Sequence, residues 1–486
     1  MALFDLLSVN AQSLTTFQKG IDLTNKNINN VYNKDYARER PIFEELPAYG
    51  VNLAEAHRVF DQRYFDRYLK ENQTLAFHQD LESNLDGLEA IFNDINGTGF
   101  AKDINDYFSK INRLVSEPDN MAARQDFLVT ARKLVARLKS SYDSIENEKT
   151  NLFIGMEKEA QEINRLTASL AKVNQAIKGQ PANLTLEQEK KNTLLNERDK
   201  LLKELSNHID MKVRYNKDGS ADVFSAKGHA LVLADRNFEV SLQEKQIDLG
   251  GGLQTTTRAI LIDGVDLSSD FSKGSFGAKI EYQKRLEESM KRLNSFAISF
   301  ASENNTIQVN GYDLIPDDTS TDPVTKHPSE PLFAYDGYTL PSNYDPANVQ
   351  NDVNDKLNIK NLVVFIEDPK KIATSSKDNV PSNNDNAKAF YSLKDKKIAS
   401  LDNKTFYDYY IDLVGDVANA KDFHTKMATD SRMLVDAVES KLQEISGVNM
   451  DEELMNLMQL QHAYQAAAKV INVTDELLQT VMGLVR

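Results

Sequence analysis

Each end of the chain carries an apolar stripe that repeats every seven residues, and this pair of stripes constrains the fold more than anything between them. Near the start, Leu7, Leu14, Ile21 and Ile28 form one row, and Leu3, Asn10, Phe17, Thr24 and Val31 form a second, offset by three to four residues. Together they make the a/d seam of a coiled-coil-like helix, interrupted only by Asn10 and Thr24. At the other end, Leu457, Tyr464, Ile471, Leu478 and Val485 make one row, and Leu460, Ala467, Thr474 and Val481 the other. Asn449 followed by Glu452 predicts a capping box at its start, and Ala466 to Ala468 would let a neighbouring helix come close. Burying one such seam does not offset the backbone entropy of ordering it, so each helix needs cover on several sides. Pairing of the first helix with the last inside one chain, or packing in a multi-chain array, satisfies the same periodicity.

Between the ends the pattern is helical as far as residue 206. A short extended stretch at 50–53 precedes helices expected over 61–95, 102–115 and 121–177. Gly179-Gln180-Pro181 then breaks the pattern, and Thr185 with Gln188 caps a helix that reaches Leu205. Residues 211–265 change to period two. Val213 and Tyr215 face Val223 across Lys217-Asp218-Gly219-Ser220, a hairpin turn signal, and 230–233, 238–240 and 260–262 read as further strands. Helix returns over 276–301 and again over 406–445. Eight of the twelve prolines lie between Pro316 and Pro381, around one strong strand at 362–366, so 306–399 reads as an inserted, loop-rich β domain.

The fold class is therefore α+β and multidomain: a long-helix bundle with coiled-coil-like terminal helices and inserted antiparallel β domains. The expected units are 1–45 with 446–486 (terminal assembly), 46–206 with 274–305 and 400–445 (helical bundle), 207–273 (β hairpins) and 306–399 (insert).

Composition removes most chemistry. The 486 residues include no cysteine, which excludes disulfides, thiolate nucleophiles and Cys metal sites. Asp and Glu outnumber Lys and Arg by 73 to 57, an acidic balance that argues against nucleic acid or an anionic membrane as a partner. No stretch has the length and apolarity of a membrane-spanning helix, and the first residues lack a cationic, apolar secretory signal; those two absences alone read as cytosolic. Histidines 57, 78, 208, 229, 327, 424 and 462 are scattered, which predicts surface or half-buried rings rather than a metal site. Gly250-Gly251-Gly252 has no phosphate-loop context and reads as a turn. Asn216, Asp218, Ser220 and Asp222 alternate as calcium ligands do, but lack a closing Glu, so a hairpin is expected. The runs 281–292 and 187–198 read as exposed helix faces with pairs such as Glu187–Lys191. Asp317, Asp318 and Asp322, and the run 383–386, read as solvated loops. No cofactor, metal or catalytic residue is expected.

The C-terminal run from Gly447 through Asn449-Met450-Asp451, Gln461-His462-Ala463-Tyr464 and Val470-Ile471 to Glu476-Leu477-Leu478 resembles the C-terminal signature of bacterial flagellar axial proteins. Asn27 to Val31 with Tyr36-Ala37-Arg38-Glu39-Arg40 resembles the matching N-terminal signature, although Asp35 stands where the family usually has glycine. A left-handed turn there would strain a non-Gly residue. Pro118 to Gln125, Leu195 to Ser206 around Arg198-Asp199, Asp218-Gly219-Ser220 and Gly228 to Val232 appear in an order similar to the hook-associated branch of that family. The resemblance covers roughly residues 1–300 and 400–486.

It implies a structural adaptor between hook and filament, without catalytic activity, in the extracellular flagellum. It also implies export through the flagellar apparatus with a chaperone and without signal cleavage, and self-association in a tubular array that contacts hook protein and a second junction protein. Leu3, Leu7, Leu14, Phe17, Ile21 and Ile28 would pack against Leu457, Leu460, Tyr464, Ile471, Leu478 and Val481, within and between subunits. Another axial protein (hook, second junction protein or flagellin-like) would share the ends, and a secreted adhesin or enzyme carried at 306–399 is the alternative from a different class.

Overall fold

The structure, a computed structural model, describes residues 2–46, 50–92, 99–179, 185–315, 330–341, 344–378 and 380–484. Helix α1 (Ala2–Asn29) leads into an antiparallel hairpin, β1 (Glu39–Leu46) with β2 (Gly50–Arg58). Helices α2 (Gln62–Ile91), α3 (Phe100–Ser116), α4 (Met121–Lys178) and α5 (Thr185–His208) follow. Next come β3 (Met211–Tyr215), β4 (Ala221–Ser225), β5 (Ala230–Leu233), β6 (Arg236–Asn237), β7 (Val240–Asp248), β8 (Gln254–Ile262) and β9 (Val265–Asp266). They form a four-stranded and a three-stranded antiparallel sheet, each in sequence order. Helix α6 (Gly274–Val309), strand β10 (Phe333–Tyr335), helix α7 (Val349–Asp352), strand β11 (Leu362–Val364) and helix α8 (Asp385–Ser392) precede two long helices, α9 (Phe406–Ser446) and α10 (Met450–Leu484).

The 58-residue α4 is the spine of the body. Asn120 starts it by accepting hydrogen bonds from the Ala122 and Ala123 amides. Phe127, Ala131, Leu134, Leu138, Tyr142 and Ile145 then recur at three- and four-residue steps and bury one face of it. Helices α2, α3, α5 and α6 pack around it, and α9 returns antiparallel along α2. Phe100, Phe296, Phe300, Phe406 and Tyr410 interlock mostly edge to face where α3, α6 and α9 meet. At the β7–β8 turn all three glycines have positive φ, and a Cβ on Gly251 would lie 2.7 Å from the Leu357 carbonyl oxygen, so glycine is required there.

Several expectations change. The boundary at 45/46 falls at the tip of the β1–β2 hairpin, because β2 pairs along β1 and packs under α1; the hairpin stays with the terminal helices. The insert 306–399 begins inside the last turn of α6, and the rest of its described residues hold two three-residue strands with short helices and turns. Its Phe333, Leu362, Ile366, Ile372 and Phe390 join the same apolar core as the helices. Arg124 explains the attachment. It is fully buried and donates to the carbonyl oxygens of Pro118, Pro369, Lys370 and Ile372 and to Thr374 Oγ1. Burial lowers its pKa to about 10, which still leaves it cationic at neutral pH. The 187–198 run is not wholly exposed, since Asn192 and Arg198 are buried; Glu187 and the cap at Thr185 lie outside the described side chains. The Asp317, Asp318, Asp322, His327 and Pro181 positions also lie outside the described residues.

The scattered spacing of the histidines predicts surface or half-buried rings for His78 on α2 and His424 on α9. Both are buried, with their Nδ1 atoms 2.8 Å apart, between the rings of Phe77 and Phe423. Burial holds both below the ordinary imidazole value, His424 at about 4.

Two outcomes follow from these groups. Because the folded rings resist protonation, the unfolded chain takes up more protons as pH falls below about 6.5 towards 4, and stability drops across that window. Urea midpoints measured between pH 7 and 5 should show this slope, and a His78→Leu/His424→Leu variant should lose it. Arg124→Met should cost about 3 kcal/mol or more, from several hydrogen bonds to a charged group, and should raise amide exchange around 369–374.

Candidate assembly module

The two ends meet within one chain, and apart from Leu23 on α1 and Leu460 on α10 the side chains at their closest approach are small or polar. On α1 the buried positions are Ser13, Thr16, Gly20, Leu23, Thr24 and Asn27. The row 13–20–27 lies one residue, or about 100° around the helix, from the predicted row 14–21–28. On α10 the buried positions are Glu453, Ala467 and Thr474, with Leu460 between them half-buried; Leu460, Ala467 and Thr474 belong to one of the predicted rows. Gly20 meets Leu460 so closely that a Cβ on the glycine would sit 3.2 Å from the leucine methyl. Asn27 meets Glu453 seven residues further along each helix, in opposite directions, so the helices run antiparallel in one register.

Leu7, Leu14, Phe17, Ile21, Ile28, Leu457, Leu460, Tyr464, Ile471 and Leu478 are half-buried; Val481 is exposed, and the Leu3 side chain lies outside the described residues. Phe17 packs edge-on against Phe43 of β1. The β1–β2 hairpin packs against the same buried row beside α10: a Cβ on Gly20 would lie as close to Phe43 of β1 as to Leu460, Thr16 Oγ1 donates to the Val51 carbonyl, and the Val51 amide donates to Ser13 Oγ.

Polar residues of the two terminal signatures converge at the base of this pair. Asn27 Nδ2 donates to the Glu39 carbonyl at 2.8 Å and to Glu453 Oε2 at 3.0 Å; Asn27 Oδ1 accepts from Tyr36 Oη and the Glu39 amide. Burial, with Glu39 and Glu453 nearby, pushes the Tyr36 hydroxyl well above its usual pKa, so it remains a donor. Lys26 pairs with Glu39 at 2.6 Å. Arg38 pairs with Glu452 at 2.5 Å, which diverts Glu452 from the expected capping box; Asn449 caps α10 alone through the Asp451 and Glu452 amides. Asp35 is not left-handed, so the missing family glycine carries no strain here, and its carboxylate takes Lys203 at 3.0 Å.

A buried ion triad joins the module to the body. Asp199 of α5 is held by Arg198 at 2.6 Å and by Arg58 at the end of β2 at 2.7 Å. Arg198 also donates to the Gly219 carbonyl of the β3–β4 turn and lies over Tyr215, while Arg58 donates to Asn196. The Arg198-Asp199 pair and the Asp218-Gly219-Ser220 turn, far apart in sequence, thus form one joint. Sequence reasoning found both motifs but not Arg58, which no periodicity marks.

Helix α10 carries an exposed apolar stripe on its outer side. Val470, Val473, Leu477 and Val481 follow at helical spacing with exposures of 40–49%, and Met455, Met458 and Met482 are more exposed still. Between Leu454 and Leu484 the only charged residues are Lys469, Asp475 and Glu476. A groove of 540 Å³ runs between β1 and α10, lined by Arg38, Glu39, Phe43, Met455 and Leu460; Glu39 Oε2 and Arg38 Nε are buried there without a partner. Among the described residues no three His, Asp or Glu side chains come close enough to hold a metal, and no helix is long and apolar enough to cross a membrane.

Residues 85–322 match the model of the flagellar hook-associated protein FlgK helical domain, and 439–484 match the flagellar basal body rod FlgEFG protein C-terminal model. Flagellar hook-associated protein 1 of Bacillus subtilis is 24% identical, with 97% of this chain and 96% of that protein covered. The Escherichia coli protein of the same name is 23% identical over 98% and 99%. The fold is also that of the flagellar hook junction protein FlgK from Burkholderia pseudomallei, with a TM-score of 0.60 at 12% identity, covering 78% of this chain and all of that one. The family-model matches and the near-full-length similarity to hook-associated proteins, together with this fold, place the chain among the structural proteins of the flagellar axial class. Within that class, the chain belongs to the flagellar hook-associated protein family.

Gly20→Leu should force α1 and α10 apart. The expected cost is about 1–3 kcal/mol, read as faster amide exchange along both helices with that of α4 unchanged.

Proposed function

We propose that this chain is a structural adaptor of the flagellum that joins hook to filament by self-assembly of its terminal helices into a tubular array. The observation that carries this reading is the apolar stripe on α10, which a single chain leaves uncovered. Half-buried seam residues on both terminal helices, Leu7, Leu14, Phe17, Ile21 and Ile28 with Leu457, Leu460, Tyr464, Ile471 and Leu478, have apolar surface left for a neighbouring subunit. A contiguous uncovered stripe of this kind marks a protein interface.

Near-full-length similarity to proteins named hook-associated protein 1 supports the position in the flagellum. In this proposal the array contacts hook protein on one side and a second junction protein on the other. The chain reaches the outside through the flagellar export apparatus, with a chaperone and without signal cleavage; the absence of cysteine suits a chain that travels unfolded. The role is structural rather than enzymatic. The insert 306–399, pinned by Arg124, acts as part of the body rather than as a separable adhesin.

Val473→Glu/Leu477→Glu should leave body folding and thermal midpoint unchanged but abolish incorporation and motility. Immunogold labelling of wild-type flagella should give one short band between hook and filament. Labelling along the whole filament, or normal incorporation of the double variant, would reject the proposal.

A further inference from the structure

The seam of the terminal pair is unusual in being small and self-satisfied. The Ser13 hydroxyl bonds to the Val9 carbonyl, Thr24 to Gly20 and Thr474 to Val470, each within its own helix. Such positions discriminate weakly between registers, because after a slip of one heptad they still present small side chains with bonded hydroxyls. Two contacts do discriminate. One is Leu460 seated on Gly20; the other is the buried carboxamide of Asn27.

We infer that Asn27, with Glu453 and Glu39, is a register pin that holds α1 against α10 in a single heptad phase. The carboxamide of Asn27 has two donors and two acceptor sites, and all four are used. One donor reaches across to α10 at Glu453. The other three bonds go to Tyr36 and to the Glu39 backbone, so α1, β1 and α10 are keyed together at one point. A seven-residue slip in either direction removes Glu453 from Asn27 and leaves a buried carboxylate and a buried amide proton unpaired. Buried unpaired polar groups are penalised far more than exposed ones, which is how a lone buried asparagine specifies register in coiled coils. Lys26 on Glu39 and Arg38 on Glu452 brace the same point from both sides.

This inference deepens the assembly reading and rests on it only for its consequence. In one register Val470, Val473, Leu477 and Val481 face outward as one stripe, so every subunit offers the same surface. In mixed registers the stripe is displaced along the pair by about one heptad, and the surfaces of neighbouring subunits no longer match. Asn27 and Glu453 are thus positioning residues whose effect on assembly is indirect.

The chain contains no native cysteine, so engineered pairs report register cleanly. Extending the observed register places Ser13 opposite Ala467, and a one-heptad slip places it opposite Thr474. The full-length chain, purified alone and oxidised mildly, should crosslink in the Ser13→Cys/Ala467→Cys form at least tenfold faster than in the Ser13→Cys/Thr474→Cys form. Adding Asn27→Leu/Glu453→Leu should bring the two rates within about threefold while helical content stays constant. Glu453→Gln, which retains an acceptor for Asn27, should restore the preference. Comparable crosslinking of both pairs with Asn27 and Glu453 intact would overturn the inference. So would an unchanged preference in the Leu/Leu variant, or a loss of its helical content, which would make the cluster a stability element. These rates are read on isolated chains, so a failure of the assembly reading would leave them intact and would show instead in flagellar incorporation.

Discussion

Everything else in the molecule is arranged around the contact of α1 with α10, where Gly20 lets Leu460 approach and Asn27 bonds to Glu453. Chain ends more than 400 residues apart meet there, and the body lies between them as one long excursion. The contact is close because its seam is small. The same closeness leaves the bulky side chains on the flanks half-covered. A pair built on a leucine seam would bury most of its apolar surface inside one chain. This one keeps its serine, threonine and glycine inside and leaves valine, leucine and methionine at the surface, where a second copy gains from covering them.

Buried charge then ties the module and the insert to the body. Asp199 between Arg58 and Arg198 spans the hairpin, α5 and the β3–β4 turn, and Arg124 gathers four backbone carbonyls from two distant segments. Burying a cation is costly unless its donors are satisfied. Each of these arginines is held by several acceptors, and burial lowers the pKa of Arg58 even beside Asp199. Such clusters tolerate few alternative arrangements. They specify how the parts join more than they add to total stability.

Local order was legible from residue pattern. Most helices begin and end near the predicted positions, although α6 runs past 301 to Val309; the Asp218-Gly219 turn makes the hairpin, and the three glycines make the β7–β8 turn, because capping, periodicity and positive φ are local chemistry. The ordered motifs also pointed to the correct family. Only the start of β2 was legible, as the extended stretch at 50–53; β1 escaped, since it carries charged residues at both ends and a proline and shows no clean alternation. The prolines of the insert mark its loops but not what those loops pack on, so the core it shares with the helices was not legible. The His78–His424 contact joins residues 346 apart, and no spacing rule reaches that far.

The assembly seam divides between the two kinds of knowledge. Periodicity alone established that both ends are amphipathic helices able to pair, since a seven-residue repeat specifies a face whatever that face touches. Which row within the face lies innermost was decided by three-dimensional packing. Backbones approach most closely where side chains are smallest, and an amide is buried only where all its bonds are met. Ser13, Gly20 and Asn27 therefore took the inside, and the leucines and isoleucines one position along were left at its edge.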